Sequence, residues 1–284
     1  MKKKYTVILT IIFMVLAGAF ELFQGTVAIT PGEELKVHFL DVGQGDSIFI
    51  ELPTNETILI DASIKDASDK IIKYLKEENV SKIDYVFATH PHSDHIGGMS
   101  AVIKAFDIGQ IYMPKAVTTT KTYENLLLTI KDKNLKIKTA KAGNTIIDTD
   151  DLKLVVLAPN QDSYESLNNY SIVLKLTYKE KSFLFTGDAE TLSEKEITGD
   201  VEADVLKVGH HGSRTSTSQA FLNKVNPSYA VISVGLNNDY KHPHQEVLDR
   251  LEKKNIKIYR TDQNGDIIFT TDGYNIDVKV EKWL

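Results

Sequence analysis

Short apolar runs of strand length alternate along this chain with segments whose apolar residues recur at helical spacing, starting near Glu34. The first three runs are KVHFLDV, SIFIEL and ETILIDA, and turn residues separate them. Short runs rich in Val, Ile and Phe that are bounded by such residues are typical of β-strands. The chain therefore predicts a domain that opens as a β-meander.

The first helix is predicted over Ser68 to Glu78, where Ile71 and Leu75 fall on one face. Asp66 or Ser68 is expected to cap it, because short polar side chains accept hydrogen bonds from the free N–H groups of a first turn. Further helices are predicted at 98–106, 123–131, 191–197, 219–224 and 245–253. Further strands are predicted at 84–89, 152–157, 171–178, 182–188, 205–211, 229–235, 256–259, 267–270 and 276–280.

This alternation predicts an α/β (α+β layered) protein whose sheets are covered by helices. Two β-rich halves follow one another, and neither a linker nor a low-complexity tract separates them. At 284 residues the chain is near the upper end of what one core supports. One continuous domain over residues 34–284 is therefore expected.

Residues 1–30 have the composition of an export signal. Three lysines at positions 2–4 precede an almost wholly apolar run from Val7 to Phe20. Thr26 and Ala28 are small residues at a processing position, but they match the usual pattern weakly, so an uncleaved N-terminal membrane anchor is the alternative. The domain is expected to be exported, either to the cell envelope or outside the cell, with membrane contact only through this segment.

Composition narrows the chemistry of any site. The apolar and charged fractions, 42% and 25%, are those of an ordinary globular protein. The net charge of -6 argues against a broad basic surface, so a nucleic-acid contact would have to be local. The chain has no cysteine, so nitrogen and oxygen atoms must hold any metal.

The segment THPHSDHIGG at 89–98 places three histidines and an aspartate within six consecutive positions. It follows an apolar strand and precedes two glycines, so its side chains can converge on a loop. His90 and His92 can bind one cation, while Asp94 and His95, further round the turn, bind a second. A histidine-rich surface turn without an ion is the alternative, but composition does not predict this density of imidazole.

The H-x-H-x-D-H pattern resembles the signature of the metallo-β-lactamase fold, and other motifs resemble the soluble hydrolase domain of ComEC-type DNA-internalisation competence proteins. These motifs are FLDVGQGDS at 39–47, ILIDA at 58–62, ATHPHSDHIGG at 88–98, NNYSIVL at 168–174, FLFTGD at 183–188, LKVGHHGS at 206–213 and KHPHQEVL at 241–248. The resemblance implies a four-layer αββα sandwich with metals at one edge of the paired sheets. The transmembrane portion of the competence proteins is expected to be absent, which puts DNA transport outside the expected activity.

Later motifs supply the remaining predicted catalytic and metal-binding residues. Asp188 ends an apolar strand, and the resemblance assigns the matching aspartate to a bridge between two cations. His210 and His211 end another strand, where adjacent side chains diverge, so only one of them is expected to bind metal. We assign His210 to the metal and His211 to catalysis, with the reverse assignment open. His242 is assigned to catalysis because its His-Pro step matches the family best, with His244 as the alternative.

Substrate contacts are predicted from a departure from the superfamily pattern. Many members supply a third histidine for the first metal between the positions of His95 and His210, where this chain has none. Asn169 and Ser171 occupy the matching region and are predicted to hydrogen-bond a phosphate group. Neutral amides and hydroxyls are poorer ligands for zinc than for manganese, so the two divalent ions are predicted to be zinc or manganese. Arg214 is predicted to bind an anionic substrate, with a solvated surface arginine as the alternative.

Other polar residues in these motifs are expected to be mainly structural. Gly43 and Gly45 are predicted to make a tight turn between strands, with Asp46 satisfying backbone donors or reaching the metal edge. Asp61, at the end of the ILIDA strand, is likewise expected to be mainly structural. His38 lies inside an apolar strand without a partner nearby in sequence.

The predicted activity is metal-assisted hydrolysis, in which a hydroxide shared by two cations attacks phosphorus or a carbonyl carbon. Asp94 and Asp188 are expected to orient the hydroxide, and His211 or His242 to protonate the leaving oxygen. The resemblance favours a phosphodiesterase, with nuclease activity on DNA as the first candidate. The alternatives are a lactone or lactam hydrolase and a non-catalytic module that binds DNA or a wall polymer. No protein partner is predicted.

Overall fold

The structure is a computed structural model that describes residues 33–282. The predicted export signal at 1–30, with its membrane contact, lies outside the described residues. Within residues 33–282, no helix has both the length and the apolar character needed to cross a membrane.

Two mixed β-sheets form the centre of the fold. The strands in chain order are β1 Leu35–Phe39, β2 Ile48–Glu51, β3 Thr57–Ile60, β4 Lys82–Phe87, β5 Asp107–Met113, β6 Ile137–Thr139, β7 Thr145–Asp148, β8 Leu152–Ala158, β9 Val173–Tyr178, β10 Lys181–Phe185, β11 Val205–Lys207, β12 Tyr229–Ile232, β13 Lys257–Arg260, β14 Asp266–Thr271 and β15 Ile276–Glu281. The first sheet has the spatial order β15-β14-β1-β2-β3-β4-β5-β6. The second has the order β13-β12-β11-β10-β9-β8-β7.

Each sheet joins an antiparallel block to a parallel block. Strands β1, β2 and β3 are antiparallel, which confirms the predicted opening meander. The parallel blocks are β3 to β6 in the first sheet and β10 to β13 in the second. Loops at the carboxyl ends of parallel strands meet at one edge of a sheet, so this topology gathers the loops after β3, β4, β10, β11 and β12.

Eight helices are found in the described part of the chain: α1 Ser68–Glu77, α2 Ser93–Ile96, α3 Met99–Ala105, α4 Lys121–Asp132, α5 Thr191–Glu196, α6 Gln219–Val225, α7 Gln245–Glu252 and α8 Thr261–Asn264. The predicted side-chain cap of α1 is wrong, since Ala67 holds the cap position without a side-chain hydrogen bond. The 3₁₀ turn Lys65–Ala67 precedes α1, and the carbonyl of Lys65 accepts the N–H of Ser68. A backbone group therefore replaces the expected polar cap.

Three groups of buried apolar side chains separate the layers. The first lies between the sheets, where the rings of Phe39 and Phe185, from opposite sheets, have centroids 6.1 Å apart. The second packs the first sheet against α1, α3 and α4. The third packs the second sheet against α6 and α7, which contribute Phe221 and Leu251. The order helix, sheet, sheet, helix confirms the predicted four-layer αββα sandwich.

Candidate metal centre

Four side chains from three segments, each of which follows a strand, converge at the shared edge of the sheets. Asp94 and His95 follow β4, Asp188 follows β10 and His211 follows β11; each contributes one nitrogen or oxygen atom, and these atoms lie within 4.8 Å of one another. His95 Nε2 is 3.2 Å from Asp188 Oδ1, and His211 Nε2 is 3.3 Å from Asp94 Oδ2. Asp94 is half-buried and the other three are buried.

The buried atoms of this cluster fit a divalent cation. His95 Nε2, Asp188 Oδ1 and His211 Nε2 are buried, and none has a hydrogen-bond partner among the described residues. His95 Nε2 and His211 Nε2 lie 3.2 and 3.3 Å from carboxylate oxygens, so charge attraction offsets part of the cost of burial, and a bound cation would complete the coordination of all three atoms. Imidazole nitrogen and carboxylate oxygen are ligands that zinc and manganese accept. The fold therefore holds a His/Asp cluster suited to divalent metals.

Neighbouring acceptors decide which nitrogen of each histidine faces the cluster. His95 Nδ1 lies 2.7 Å from the Asp61 carboxylate, and His211 Nδ1 lies 2.9 Å from the Ser233 carbonyl oxygen. A carbonyl or an ionised carboxylate can only accept, so Nδ1 of both rings carries a proton and donates it. Nε2 then points into the cluster, which is the arrangement in which histidines usually bind metals.

A second group of donors lies beside the other oxygen of Asp188. His90 Nε2 and His210 Nε2 lie 3.8 and 3.7 Å from Asp188 Oδ2. His92 Nδ1 is 3.0 Å from His90 Nε2. The two oxygens of Asp188 thus face different groups of histidines. This is the position that the predicted bridge between two cations requires, and the bridge itself stays a prediction.

His210 and His211 lie in a turn and not on a strand. Strand β11 ends at Lys207, so the predicted extension of the strand to residue 211 is wrong. Both histidines have left-handed backbone, with φ of 51° and 52°. Residues other than glycine rarely adopt this conformation, and such strain is concentrated at functional sites. The turn directs both rings to Asp188, with His211 buried and 23% of the His210 side chain exposed.

This geometry favours His211 over His210 as a ligand, the reverse of our assignment from sequence. We expect His211→Ala to weaken cation binding about a hundredfold or more, because it removes one of the four converging donors of the buried cluster. His210→Ala should have a smaller effect because its ring is partly solvated. Competition with a chromogenic chelator would measure both affinities. An equal or larger loss in the His210 variant would restore the original assignment.

Histidines and carboxylates in the cluster shift each other's pKa. Burial alone would raise the pKa of Asp188, but the charges of His95 and His211 hold it well below its usual value. Burial alone would lower the pKa of His211, but Asp188 and Asp46 raise it to about 9. The cluster thus balances its carboxylates with protonated histidines, and a cation that binds there competes with those protons.

A buried ion pair between Lys207 and Asp46 lies on the Nδ1 side of the His211 ring. Lys207 Nζ is 2.8 Å from Asp46 Oδ2 and also donates to the Val208 carbonyl, and neither charged side chain is open to solvent. Asp46 Oδ1 lies 3.4 Å from His211 Nδ1. Burial alone would raise the pKa of Asp46, but Lys207 and His211 lower it to about 2. Asp46 therefore reaches the metal edge as a carboxylate, which is the second of the two roles predicted for it.

A pocket of about 240 Å³ opens over the cluster. Its lining residues are Gln44, His92, Ser93, Asp94, Asp188, His210, His211, Tyr240 and His242. Besides Asp188 Oδ1 and His211 Nε2, two further buried atoms in this lining, Gln44 Nε2 and His242 Nδ1, lack a hydrogen-bond partner in the described part of the chain. Neither Gln44 nor Tyr240 was predicted from the sequence to bind a ligand. For Gln44 the available signal was its place between two glycines in the motif at 39–47.

The predicted substrate-binding residues lie outside this lining. Both amide atoms of Asn169, which is buried, bond to Glu190, with Nδ2 donating to Oε2 at 3.1 Å and Oδ1 accepting the backbone N–H at 3.3 Å. Ser171 Oγ accepts the backbone N–H of Asp188 at 3.0 Å. Arg214 extends into solvent, with 61% of its side chain exposed. The geometry favours supporting roles for Asn169 and Ser171, and the three substrate contacts stay predictions.

The structure bears on the predicted proton donors as well. Burial, with help from His211 and His210, lowers the pKa of His242 to about 4. A ring with this pKa is almost entirely uncharged at neutral pH, so it has little proton to donate to a leaving group. Both ring nitrogens of His211 are already engaged, because Nε2 faces the buried cluster and Nδ1 donates to the Ser233 carbonyl oxygen. His244 stands at the N-cap position of α7, and its Nδ1 accepts the backbone N–H of Arg214 at 3.1 Å. The geometry therefore favours a hydrogen-bonding role for His242, and its proton transfer stays a prediction.

Comparison with known proteins gives a family match and two relatives. The model of the metallo-beta-lactamase superfamily matches residues 40–235. The chain is 34% identical over 254 residues to ComE operon protein 3 of Bacillus subtilis (strain 168), covering 82% of this chain and 33% of that protein. It is 31% identical over 243 residues to Competence protein ComA of Neisseria gonorrhoeae, covering 84% of this chain and 33% of that protein. The chain thus spans about a third of the length of these relatives.

Among solved structures, the metallo-beta-lactamase fold protein YhfI from Bacillus subtilis is similar with a TM-score of 0.56. The alignment covers 84% of this chain and 99% of that chain at 11% sequence identity. A likeness at this identity is a likeness of fold, and it agrees with the two-sheet architecture described above.

Proposed function

Because this chain belongs to the metallo-β-lactamase superfamily, we propose that it is a metal-dependent hydrolase that cleaves phosphodiesters, with DNA as the first candidate substrate. One observation carries the proposal: two imidazole nitrogens and a carboxylate oxygen, all buried and without a hydrogen bond within residues 33–282, converge below an open pocket. A structural core does not retain such atoms at one point unless a ligand satisfies them. Similarity to a competence protein supports DNA as the substrate and the cell envelope as the location.

Two groups of residues would hold the cations, which we propose to be zinc or manganese. Asp94, His95, Asp188 and His211 would hold one cation, and the histidines at 90, 92 and 210 lie on the side of a second. When bound, divalent cations would lower the pKa of a water molecule and offset negative charge on the substrate oxygens.

The protein's own contribution is to fix these donors before substrate arrives. Asp61 accepts hydrogen bonds from Thr89 Oγ1 at 2.6 Å and from Thr89 N at 2.8 Å, which fixes the carboxylate that orients His95. Ser171 Oγ holds the backbone of Asp188 and lies 3.3 Å from His90 Nδ1. A site whose donors are already oriented loses no energy to reorganisation during the reaction.

The pocket wall offers polar groups that suit a phosphoryl group. Gln44 Oε1 accepts the N–H of Gly235 at 3.2 Å, so its amide is oriented and Nε2 stays available to donate. His242 Nδ1 is a second buried nitrogen that makes no hydrogen bond to another described residue. The non-bridging oxygens of a phosphodiester are acceptors only, so they match donors on the wall and cations on the floor.

Hydrolysis of three substrates would test the bond class. The purified protein, freed of metal and then loaded with zinc or manganese, would be offered bis(p-nitrophenyl) phosphate, a lactone and a cephalosporin. We expect the diester to be hydrolysed and both rings to be left intact. Ring opening without diester cleavage would overturn the phosphodiesterase assignment. If none of the three substrates is hydrolysed, a binding module without turnover is favoured.

A further inference from the structure

The loop that joins β12 to α7 exposes two large apolar side chains, and one of them lines the pocket. Tyr240 is 64% exposed and Leu236 is 71% exposed. Tyr240 also lines the pocket whose floor includes Asp188. Single exposed apolar residues are common on protein surfaces, but an exposed aromatic ring in the lining of a polar pocket is placed to contact a bound ligand.

Hydrogen bonds from Asn238 hold this loop in one conformation. Its Nδ2 donates to the carbonyl oxygens of Gly235 at 2.9 Å and His242 at 2.7 Å, and its Oδ1 accepts the N–H of His242 at 3.0 Å. Gly235 is also tied to Gln44 on the opposite wall. A side chain carried on a closed loop loses little conformational freedom when it binds a ligand.

One face of the Tyr240 ring is covered and the other is open. The ring stacks on His242, with centroids 5.7 Å apart and planes 21° from parallel. Since nearly two thirds of the residue is exposed, the face away from His242 is open to solvent. An open aromatic face beside the pocket that would hold the phosphate is a surface on which a nucleobase can stack.

We propose that Tyr240 is a stacking platform for the nucleobase beside the scissile phosphate. The proposal rests on the phosphodiesterase function, since it places the phosphate over the Asp188 cluster. It makes Tyr240 a specificity residue that selects nucleotide diesters over diesters without a base, such as those of glycerol phosphate polymers. The net charge of -6 argues against a broad basic surface, so the protein needs another source of affinity for a nucleic-acid strand, and base stacking can supply it.

Two diesters with the same leaving group would test the platform: thymidine 5′-(p-nitrophenyl phosphate) and methyl p-nitrophenyl phosphate, with full-length manganese-loaded protein. We expect Tyr240→Ala to raise KM for the thymidine diester about tenfold, and to leave KM for the methyl diester unchanged. The kcat for both should stay within about twofold, because the base contact is made equally in ground state and transition state. Tyr240→Trp should retain the low KM.

Tyr274→Ala is the matched control. Tyr274 is 54% exposed in the turn between β14 and β15, and this turn lies at the opposite end of the sheet because Thr271 pairs with Leu35 at the start of β1. We expect this variant to match the wild type on both diesters.

The outcomes separate the platform from the function on which it rests. If both diesters are hydrolysed and Tyr240→Ala leaves both KM values unchanged or raises them equally, the platform is overturned and the phosphodiesterase stands. If neither is hydrolysed, the proposed function fails, and calorimetric binding of thymidine 5′-monophosphate then decides the platform. Weaker binding by Tyr240→Ala than by the wild type would support it, and equal binding would overturn it.

Discussion

Asp188→Asn is expected to lower kcat/KM for diester hydrolysis about a thousandfold, which corresponds to about 4 kcal/mol of transition-state stabilisation. The two oxygens of Asp188 face different donor groups, with His95 Nε2 3.2 Å from Oδ1 and His210 Nε2 3.7 Å from Oδ2. An asparagine keeps the shape but has one oxygen and no charge. One of the two groups of histidines therefore no longer faces a carboxylate oxygen of residue 188. Steady-state kinetics with bis(p-nitrophenyl) phosphate at saturating cation would measure the loss.

An exposed aspartate provides the control for this substitution. Asp148 lies on β7 with 65% of its side chain exposed. Asp148→Asn should retain activity within about twofold, since surface substitutions away from a site have small effects. Circular dichroism would show whether Asp188→Asn is folded. A folded Asp188→Asn with more than about a tenth of wild-type activity would contradict the central position of this carboxylate.

Lys207→Met is expected to lower the free energy of unfolding by about 3–5 kcal/mol, since breaking a buried ion pair leaves the other charge uncompensated. Lys207 is fully buried and its Nζ lies 2.8 Å from Asp46 Oδ2. We also expect cation affinity to fall about 10–100-fold, because Asp46 would no longer be held against His211 Nδ1. Urea denaturation and chelator competition would measure the two effects.

Two further variants separate the buried pair from a general effect of losing a lysine. Asp46→Asn combined with Lys207→Met removes both charges and should be less destabilised than Lys207→Met alone. Lys153→Met removes a lysine whose side chain is 53% exposed, and we expect a change within about 0.5 kcal/mol. Strictly additive losses in the double variant would show that the pair is not coupled.

The parts of the site that are contiguous in sequence were predictable from it. His90 to His95 form one motif on one loop, so their convergence follows from local sequence alone. The meander and most of the helices were predictable because each has its own apolar periodicity. Strands β5, β6 and β7 were not predicted, and β6 illustrates why: all three of its residues are exposed, so it has no apolar face to reveal it.

Contacts between segments that are distant in sequence could not be predicted from local patterns. Asp46 lies in the loop between β1 and β2, and Lys207 lies on β11 of the other sheet, so their pairing has no local signature. A lone lysine inside the apolar run VLKV was a hint. The turn that directs both His210 and His211 to Asp188 depends on left-handed backbone at two residues that do not usually adopt it. Periodicity predicts elements, and tertiary packing decides which side chains meet.

Dependence of diester hydrolysis on added cation tests the central claim most directly. Metal-free protein would be titrated with manganese or zinc while the release of p-nitrophenol from bis(p-nitrophenyl) phosphate is followed. We expect no hydrolysis without cation, a saturable rise as cation is added and its loss on addition of a chelator. Hydrolysis that is unchanged by removal of cations, or none at any concentration although cations bind, would contradict a metal-dependent phosphodiesterase centred on Asp94, His95, Asp188 and His211.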